Sequence, residues 1–263
     1  MESFINEQAF DLLVGLVLLS IALIFPARVM QGKLEFNWDL AGLAMLMVSS
    51  IFFGYLFEEH IDLWLLDSSI ISNWNDTAWQ WKWWILLPLN IIVADFVAYW
   101  GHRLLHTGWV WHTHAWHHSP KYLYFLSGIR STPLHILVFF GVYSLVYIFI
   151  PIPDIEFILI AVLMLHTVSD HLIHSNIRLP YPRQIEYLIV TPRYHFVHHS
   201  TNRDHSDSNY GFIFTCWDHI FGTYTDPDFV PQDQPLGLGY DVSNWRLLLG
   251  LPPSKRSTRK AEI

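Results

Sequence analysis

Three tight groups of histidines in this 263-residue chain have the spacing of metal ligands. The chain contains 16 histidines, and eight of them form the motifs His102-x-x-x-His106, His114-x-x-His117-His118 and His195-x-x-His198-His199. Residues three or four positions apart on a helix project from one face, so each motif can present its imidazoles together. Imidazole suits iron, copper, zinc and nickel, and eight such ligands are too many for one ion. The sequence therefore predicts two metal ions.

A fourth contribution comes from the last apolar segment of the chain. His166, Asp170 and His174 are spaced four residues apart and share a helical face, with His171 beside them. His174 is favoured as a ligand because it lies farthest toward the polar C-terminal part of the chain. His171 is interpreted either as a ligand or as its neighbour, and His166 as a packed, hydrogen-bonded or outer-sphere histidine.

Asp95 lies two helical turns before His102 on the same stripe of a predicted membrane helix. An ionisable residue in such a helix is costly, and a functional role is the first interpretation. A carboxylate often accepts a hydrogen bond from the second ring nitrogen of a metal-bound histidine, and we expect this role for Asp95. Hydrogen bonding to Tyr99 or to the backbone is the alternative.

The remaining histidines are interpreted without a metal role. His135 begins a predicted membrane segment, and His112 lies in a tryptophan-rich stretch. His205 and His219 are expected on the surface, and His60 lies on the opposite side of the membrane.

The composition predicts a membrane protein. The chain is 52% hydrophobic and only 14% charged, and it contains 13 tryptophans, a residue enriched at membrane interfaces. Five apolar stretches approach the length of about 20 residues that a membrane helix needs; they are residues 10–29, 40–57, 84–100, 134–150 and 155–168. The last two are joined only by residues 151–154, so a re-entrant hairpin is an alternative to two full crossings.

The predicted fold is an all-α integral membrane protein with four to five membrane helices and a helical, histidine-rich cytoplasmic cap. Alternating crossings place 14 of the 15 Lys and Arg residues on one side, which should be the cytoplasm, with the N-terminus outside. The acidic residues before the first apolar stretch argue against a cleaved signal peptide. We expect one domain over residues 1–250 with a motif-bearing core at 84–224, and a flexible tail at 251–263. A bacterial inner membrane or an endoplasmic reticulum would suit this chain.

Several other kinds of site are absent from the sequence. It has no H-E-x-x-H zinc-protease motif, no P-loop and no G-x-G-x-x-G dinucleotide fingerprint. The sequence therefore shows no reductase or flavin module, and electrons would come from a separate donor. A structural zinc site needs four ligands, and about twice that number favours a redox-active pair of ions. The net charge of −8 does not indicate a nucleic-acid partner.

Taken in order, the histidine motifs and the residues around them resemble the fatty acid hydroxylase / sterol desaturase superfamily of integral-membrane di-iron oxygenases. The blocks that carry the resemblance run from Asp95 to His106, from Trp111 to Ser119, from Arg130 to Pro133, from His174 to Asn176, from Thr191 to His199, and from Asp207 to Thr223. The resemblance implies O2-dependent hydroxylation or desaturation of a lipid from the bilayer, with electrons from a separate donor. It also implies two iron ions, for which zinc can substitute in purified protein.

Carried over by position, the metal ligands implied by the resemblance are His102, His106, His114, His117, His118, His174, His195, His198 and His199. Further metal-binding or outer-sphere candidates are His171, Asp170, Asp95 and Asp218. Some family members have histidine where Asp170 stands. Many have histidine at the position of Thr132 and an acidic residue at that of His135. These departures leave the substrate open.

Several alternatives remain at this point. A membrane acyl-chain desaturase uses similar histidine motifs, but a longer gap than residues 107–113 is expected there. An alkyl-ether lipid monooxygenase would share the same ligands. A non-catalytic metal-binding or lipid-sensing membrane protein would bind metal without consuming O2. A transporter fits less well, because its ionisable residues would gather near the middle of the membrane.

Overall fold

A computed structural model describes residues 2–29, 33–56, 82–108, 110–146 and 156–254. Within these ranges the protein is helical, and its only β contacts are three isolated bridges. The helices are α1 (Glu2–Ile24), α2 (Phe36–Leu56), α3 (Trp83–Leu105), α4 (Trp111–His114), α5 (Phe125–Gly128), α6 (Pro133–Ser144), α7 (Glu156–Ile173), α8 (Pro182–Ile185), α9 (Pro192–His198), α10 (Arg203–Ser206), α11 (Cys216–Ile220) and α12 (Asn244–Leu248), with a 3-10 turn at Pro227–Phe229.

Two of the described helices, α2 and α3, are long and apolar enough to cross a membrane. Shorter apolar helices occupy Leu12–Ile24, Pro133–Ser144 and Ile160–Ile173. Large apolar side chains such as Leu13 on α1 and Val48 on α2 are exposed on the outside of the molecule. Such surfaces suit contact with lipid, because a bilayer is as apolar as these side chains.

Each of the five predicted segments coincides at least in part with a described helix. The first helix ends at Ile24, earlier than the predicted limit of 29, because the chain turns there and pairs with residues 176–178. The third continues to Leu105 and carries His102, as expected. Residues 147–155, His60 and residues 255–263 lie outside the described part of the chain. The predicted hairpin and tail therefore stay predictions, as does the number of crossings.

The long helices pack around α6, which contacts both α2 and α3, while α7 contacts α3 and α1. A buried apolar cluster joins α3 to α7 and consists of Leu86, Ala94, Val97, Val146, Ile158 and Val162. This packing brings the C-terminal ends of α3 and α7 side by side. The histidines at these two ends therefore approach one another.

Two Thr-Pro pairs begin helices that hold site residues. Thr132 caps α6 by accepting a hydrogen bond from the backbone N–H of His135, and Thr191 caps α9 by accepting one from Tyr194. In both helices proline is the first residue, where it fits the helical φ and where the N–H that it lacks would have had no partner. The start of α9, and with it the direction of His195 and His198, is set by this local chemistry.

The His174-Ser-Asn176 element also anchors the end of α1. The side chain of Asn176 accepts a hydrogen bond from the N–H of Arg28 at 3.1 Å and donates one to the carbonyl of Arg28 at 2.8 Å. The N–H of Arg178 donates to the carbonyl of Phe25 at 2.9 Å. These bonds hold the segment after His174 against the first helix.

A buried ion pair lies where α2 begins, and sequence reasoning did not identify it. Asp39 and Arg130 are each 1% exposed, and the Arg130 guanidinium lies 2.6 Å from the Asp39 carboxylate. The Tyr124 hydroxyl donates to the same carboxylate at 2.7 Å. Arg130 also contacts Glu35 at 3.1 Å, so its charge is fully engaged. The apolar stretch predicted at 40–57 begins one residue too late to include Asp39.

Candidate metal centre

Nine buried histidines meet in two groups, in each of which the candidate ligand atoms lie within 4.8 Å of one another. The first group contains His102, His106, His114, His118 and His198, and the second contains His117, His174, His195 and His199. These nine are the ligands that the resemblance implies. They come from the ends of α3 and α7, from α4 and the turn after it, and from α9. Each histidine motif supplies at least one residue to the first group.

Three histidines of the first group are oriented through their Nδ1 atoms. His102 Nδ1–H donates to the carbonyl of Tyr210 at 3.0 Å, and His198 Nδ1–H donates to the carbonyl of Ser208 at 2.8 Å. His106 Nδ1 lies 3.3 Å from the carboxylate of Asp207. Hydrogen bonds of this kind set the tautomer, so that the Nε2 lone pairs are available to a metal. The Nε2 atoms of these three histidines are buried and have no hydrogen-bond partner in the described part of the chain.

The second group converges on His174. Its Nε2 lies 3.1 Å from that of His117, 3.0 Å from that of His195 and 3.3 Å from that of His199. On the other side of the ring, His174 Nδ1–H donates to the carbonyl of Asp170 at 2.7 Å, and the Asp170 carboxylate is 3.3 Å away. Asp170 therefore orients His174 and does not itself belong to either group.

The spacing of the Nε2 atoms fits metal binding. Metal–nitrogen bonds of about 2.0–2.1 Å place neighbouring ligand nitrogens about 3.0–3.4 Å apart. The Nε2 atoms around His174 have this spacing. When each ring carries its proton on Nδ1, the Nε2 atoms present only lone pairs to one another and cannot form hydrogen bonds. An ion between them would satisfy all four lone pairs. The residues of both groups thus fit a pair of metal ions.

Burial keeps these imidazoles in the form that binds metal. It lowers their pKa well below the ordinary value for histidine, and the neighbouring imidazoles lower the pKa further; this holds for His106, His114, His117, His118, His195, His198 and His199. A neutral imidazole can donate its lone pair to a metal, whereas a protonated one cannot. These seven imidazoles are therefore held in the neutral form that binds metal.

The second histidine motif does not form one helical face, contrary to the prediction. Helix α4 ends at His114, and His117 and His118 lie in the turn that follows. The motif is divided between the two groups, since His114 and His118 belong to the first and His117 to the second. The Nε2 atoms of His114 and His118 still approach to 3.2 Å.

The structure corrects the expectation for Asp95. Its carboxylate accepts hydrogen bonds from the backbone N–H groups of Ile213 at 2.8 Å and Phe214 at 3.0 Å, and from the indole of Trp217 at 2.8 Å. It makes no hydrogen bond to a candidate ligand, so the alternative interpretation, hydrogen bonding to the backbone, describes Asp95 better. The rise of a helix explains this, because two turns separate Asp95 from His102 by about 10 Å.

Asp218 contacts the loop that orients a candidate ligand, and not the ligands themselves. Its carboxylate accepts hydrogen bonds from the backbone N–H groups of Tyr210 and Gly211, each at 2.8 Å, and from the hydroxyl of Tyr194 at 3.0 Å. The carbonyl of Tyr210 in turn accepts from His102. Asp218 thus holds the loop that orients a candidate ligand, and it lies outside both groups.

Five other histidines lie in buried, half-buried or exposed positions. His171 lies outside both groups and packs edge-on against the ring of Phe125. His166 is hydrogen-bonded to Tyr143, in agreement with its interpretation as a packed, hydrogen-bonded or outer-sphere histidine. His219 is exposed and packs on Tyr224. His112 is half-buried, and His205 contacts Ser200.

His135 is closer to the centre than its sequence position indicated. It is 6% exposed, and its ring lies 4.6 Å from that of His114 and 5.7 Å from that of His117, measured between centroids. The cap at Thr132 begins α6 here and turns His135 toward the histidine groups. A histidine at the start of an apolar segment, next to a Thr-Pro cap, was the signal that could have indicated this position.

An apolar cavity of about 740 Å³ opens onto the centre. Its inner end is formed by His102, His114, His117, His174 and His195, and its walls come from α2, α3, α6 and α7. Large side chains such as Phe139, Phe140 and Leu163 line it farther from the histidines. The volume lies within the usual range of about 300–1,000 Å³ for a small-molecule site, so the centre faces space for a lipid chain.

Gly128 allows His174 to reach its position. A Cβ atom at residue 128 would lie 2.5 Å from Cγ and 2.7 Å from Cβ of His174, too close for the ring to remain in place. Gly128→Ala is therefore expected to weaken metal binding in the second group by about 1–3 kcal/mol, the usual cost of overpacking. Chelator titration with metal analysis measures this loss. Gly141→Ala on α6 is the matched control, since nothing lies within 4 Å of its new methyl group. Equal iron retention in the two variants would contradict the prediction.

The chain belongs to the fatty acid hydroxylase family. The model of that family, described as fatty acid hydroxylase, matches residues 87–223, which is more than half of the chain and includes all nine candidate ligands. Together with the two long apolar helices, membership of this family indicates a membrane protein. No solved structure matches the chain significantly.

Three similar proteins have names that refer to lipids or long-chain compounds. An alkylglycerol monooxygenase of Homo sapiens is 31% identical over 150 residues, covering 57% of this chain and 31% of that protein. An ornithine lipid hydroxylase of Rhizobium tropici is 27% identical over 193 residues, covering 72% and 56%. A very-long-chain aldehyde decarbonylase of Oryza sativa subsp. indica is 31% identical over 137 residues, covering 51% and 50%. The chain thus spans between about a third and about half of the length of these relatives.

Proposed function

We propose that this protein is an O2-dependent di-iron oxygenase that hydroxylates a C–H bond of a lipid. The observation that carries the proposal is the pair of buried imidazole groups at the inner end of an apolar cavity. Overall, a C–H bond and O2 with two electrons and two protons would give a C–OH bond and water. The similarity to lipid hydroxylases and monooxygenases supports the same reaction class.

Under this proposal, His102, His106, His114, His118 and His198 hold one iron, and His117, His174, His195 and His199 hold the other. The pair of irons supplies the oxidising power that an unactivated C–H bond requires. The side chains of α6 and α7 orient the lipid chain and exclude water from the reaction. Tyr210, Ser208, Asp207 and Asp170 keep the ligand rings turned inward through their hydrogen bonds.

The proposal includes a membrane setting and an external source of electrons. Residues 1–250 would form one membrane domain, with the histidine groups at its cytoplasmic side and the N-terminus outside. Excess Lys and Arg on the histidine side support this orientation. The two electrons would come from a donor separate from this site. The substrate would enter from the lipid phase, since the cavity is bounded by the long apolar helices.

A second candidate is oxidation of an alkyl-ether lipid, which the similarity to alkylglycerol monooxygenases favours. The same ligand frame and cavity would serve it, with the carbon beside an ether oxygen as the position attacked. Desaturation of an acyl chain is a third outcome of the same chemistry. The three differ in product, so one experiment separates them.

The experiment is oxidation of membrane lipids by the purified full chain under ¹⁸O2, with Fe(II) and a chemical reductant. We expect a lipid product that contains one ¹⁸O atom and is absent without iron, without reductant or after boiling. A new double bond without ¹⁸O would indicate a desaturase, and an aldehyde with a freed alcohol would indicate ether oxidation. Protein that binds no iron, and gives no product after incubation with Fe(II), would contradict the proposal.

A further inference from the structure

A histidine–tyrosine pair lies in the cavity wall, away from the metal groups. The hydroxyl of Tyr143 on α6 and Nδ1 of His166 on α7 are 2.9 Å apart, and both residues line the cavity. His166 is 7% exposed. Its other ring nitrogen, Nε2, is buried and has no hydrogen-bond partner in the described ranges. An unpaired polar atom in such a place is costly, which points to a ligand that pairs with it.

The pair is separate from the candidate metal ligands. His166 and His174 are eight positions apart along the same helical stripe, which corresponds to about 12 Å. The ring of Phe212 packs near both His166 and His102, at centroid distances of 5.9 Å and 6.5 Å. His166 therefore lies in the cavity wall, where it can contact a bound chain, and not among the candidate metal ligands.

The hydrogen bond to Tyr143 determines what Nε2 of His166 can bind. The Tyr143 hydroxyl makes this one hydrogen bond among the described residues, and we assign its proton to this bond, with Nδ1 of His166 as the acceptor. A neutral imidazole that accepts at Nδ1 carries its proton at Nε2. His166 thus offers an N–H donor to the cavity. Its partner is an oxygen acceptor, and an uncharged one, because the cavity lining is mostly apolar and includes the carboxylate of Asp170, which would repel an anion.

Resting on the proposed lipid oxygenase function, we propose that the cavity selects lipids with an uncharged oxygen within the chain, and that His166 binds this oxygen in the cavity wall outside the two metal groups. The oxygen is that of an ether, an ester carbonyl or a hydroxyl group. Tyr143 is the positioning residue, since its hydrogen bond fixes the tautomer of His166. A chain without such an oxygen leaves the N–H of His166 unpaired and binds more weakly.

Binding of two matched probes tests the proposal without turnover. Dioctyl ether and heptadecane have the same chain length and differ only in a central oxygen. Their affinities for the detergent-solubilised full chain are measured by equilibrium dialysis of each radiolabelled compound. We expect the ether to bind about threefold to tenfold more tightly, the ratio that one hydrogen bond provides.

Three variants connect this preference to the pair. His166→Leu removes the donor and should bring the two affinities together, and Tyr143→Phe should reduce the preference by releasing the tautomer. Tyr143→Phe loses only a hydroxyl group, so it keeps the test valid where His166→Leu does not fold. Thr167→Val, a change of similar size on the same cavity wall, should retain the full preference.

Equal affinities in the unmodified protein, or no binding of either probe, would overturn the proposal. So would an unchanged preference in both His166→Leu and Tyr143→Phe, which would leave these two residues as a structural pair only. The dialysis needs neither iron nor O2. Failure of the oxygenase proposal, seen as absent iron or absent ¹⁸O product, is therefore recorded in a different experiment from failure of this one.

Discussion

Replacing His195 with alanine is expected to reduce bound iron from about two ions to about one per chain and to abolish O2-dependent turnover. His195 belongs to the second group, which has four histidines, so only three imidazoles would remain for that ion. Loss of an outer-sphere partner already costs about 10–100-fold in metal affinity or activity, and loss of a ligand should cost more. Elemental analysis of the purified variant and oxygen uptake with a lipid extract measure the two effects.

The first group provides a graded comparison. It contains five histidines, so His198→Ala leaves four imidazoles, a full set for one ion. His198→Ala should therefore retain more iron than His195→Ala at the same chelator concentration, and the double variant should retain about as much iron as His195→Ala. His219→Ala is the matched control, because His219 is exposed and lies outside both groups. Iron content equal to that of His219→Ala in both single variants would refute the assignment of the two groups.

Replacing Arg130 with methionine is expected to destabilise the protein by about 3–5 kcal/mol, because the change leaves the carboxylate of Asp39 buried without its cation. Asp39 would keep only the hydroxyl of Tyr124 among its described side-chain partners, at 2.7 Å. The loss should appear as a marked fall in Tm of the detergent-solubilised protein. Because Arg130 does not contact the histidine groups, the folded fraction should still bind iron.

Two further variants separate the ion pair from a general effect of removing arginine. Arg178→Met removes an exposed arginine and should leave Tm nearly unchanged. Adding Asp39→Leu to Arg130→Met removes both charges and should recover much of the lost stability, since replacing a whole buried pair costs far less than breaking it. A Tm of Arg130→Met as high as that of Arg178→Met would show that the pair contributes little.

Local patterns determined much of what was predicted for the histidines. A spacing of three or four residues requires only one turn of helix to bring imidazoles together, so the candidate ligands could be named without a structure. All nine lie in the two groups. The apolar segments were identified for a similar reason, because the length of a membrane helix is set by the thickness of the bilayer. Their ends were less accurate, since caps and turns decide where a helix stops, as at Ile24.

Long-range contacts were not accessible from such patterns. Asp95 was assigned to a histidine because both lie on one stripe, yet segment 213–217 supplies its hydrogen bonds. The sequence does not connect His135 with His114 or Asp39 with Arg130, because these partners are 21 and 91 residues away in the chain. No spacing rule relates residues at such separations. Only the packing of the helices does.

The sequence by itself indicated the kind of metal ligand and the membrane character of the chain, and it predicted two metal ions, because these depend on residue type and on short spacing. The tertiary structure alone decided how the nine histidines divide into groups of five and four. It also placed a cavity in front of them and turned His166 toward that cavity. The reason is physical: adjacent histidines such as His117 and His118 point in different directions, and the paths of α3, α7 and α9 then decide which imidazoles meet.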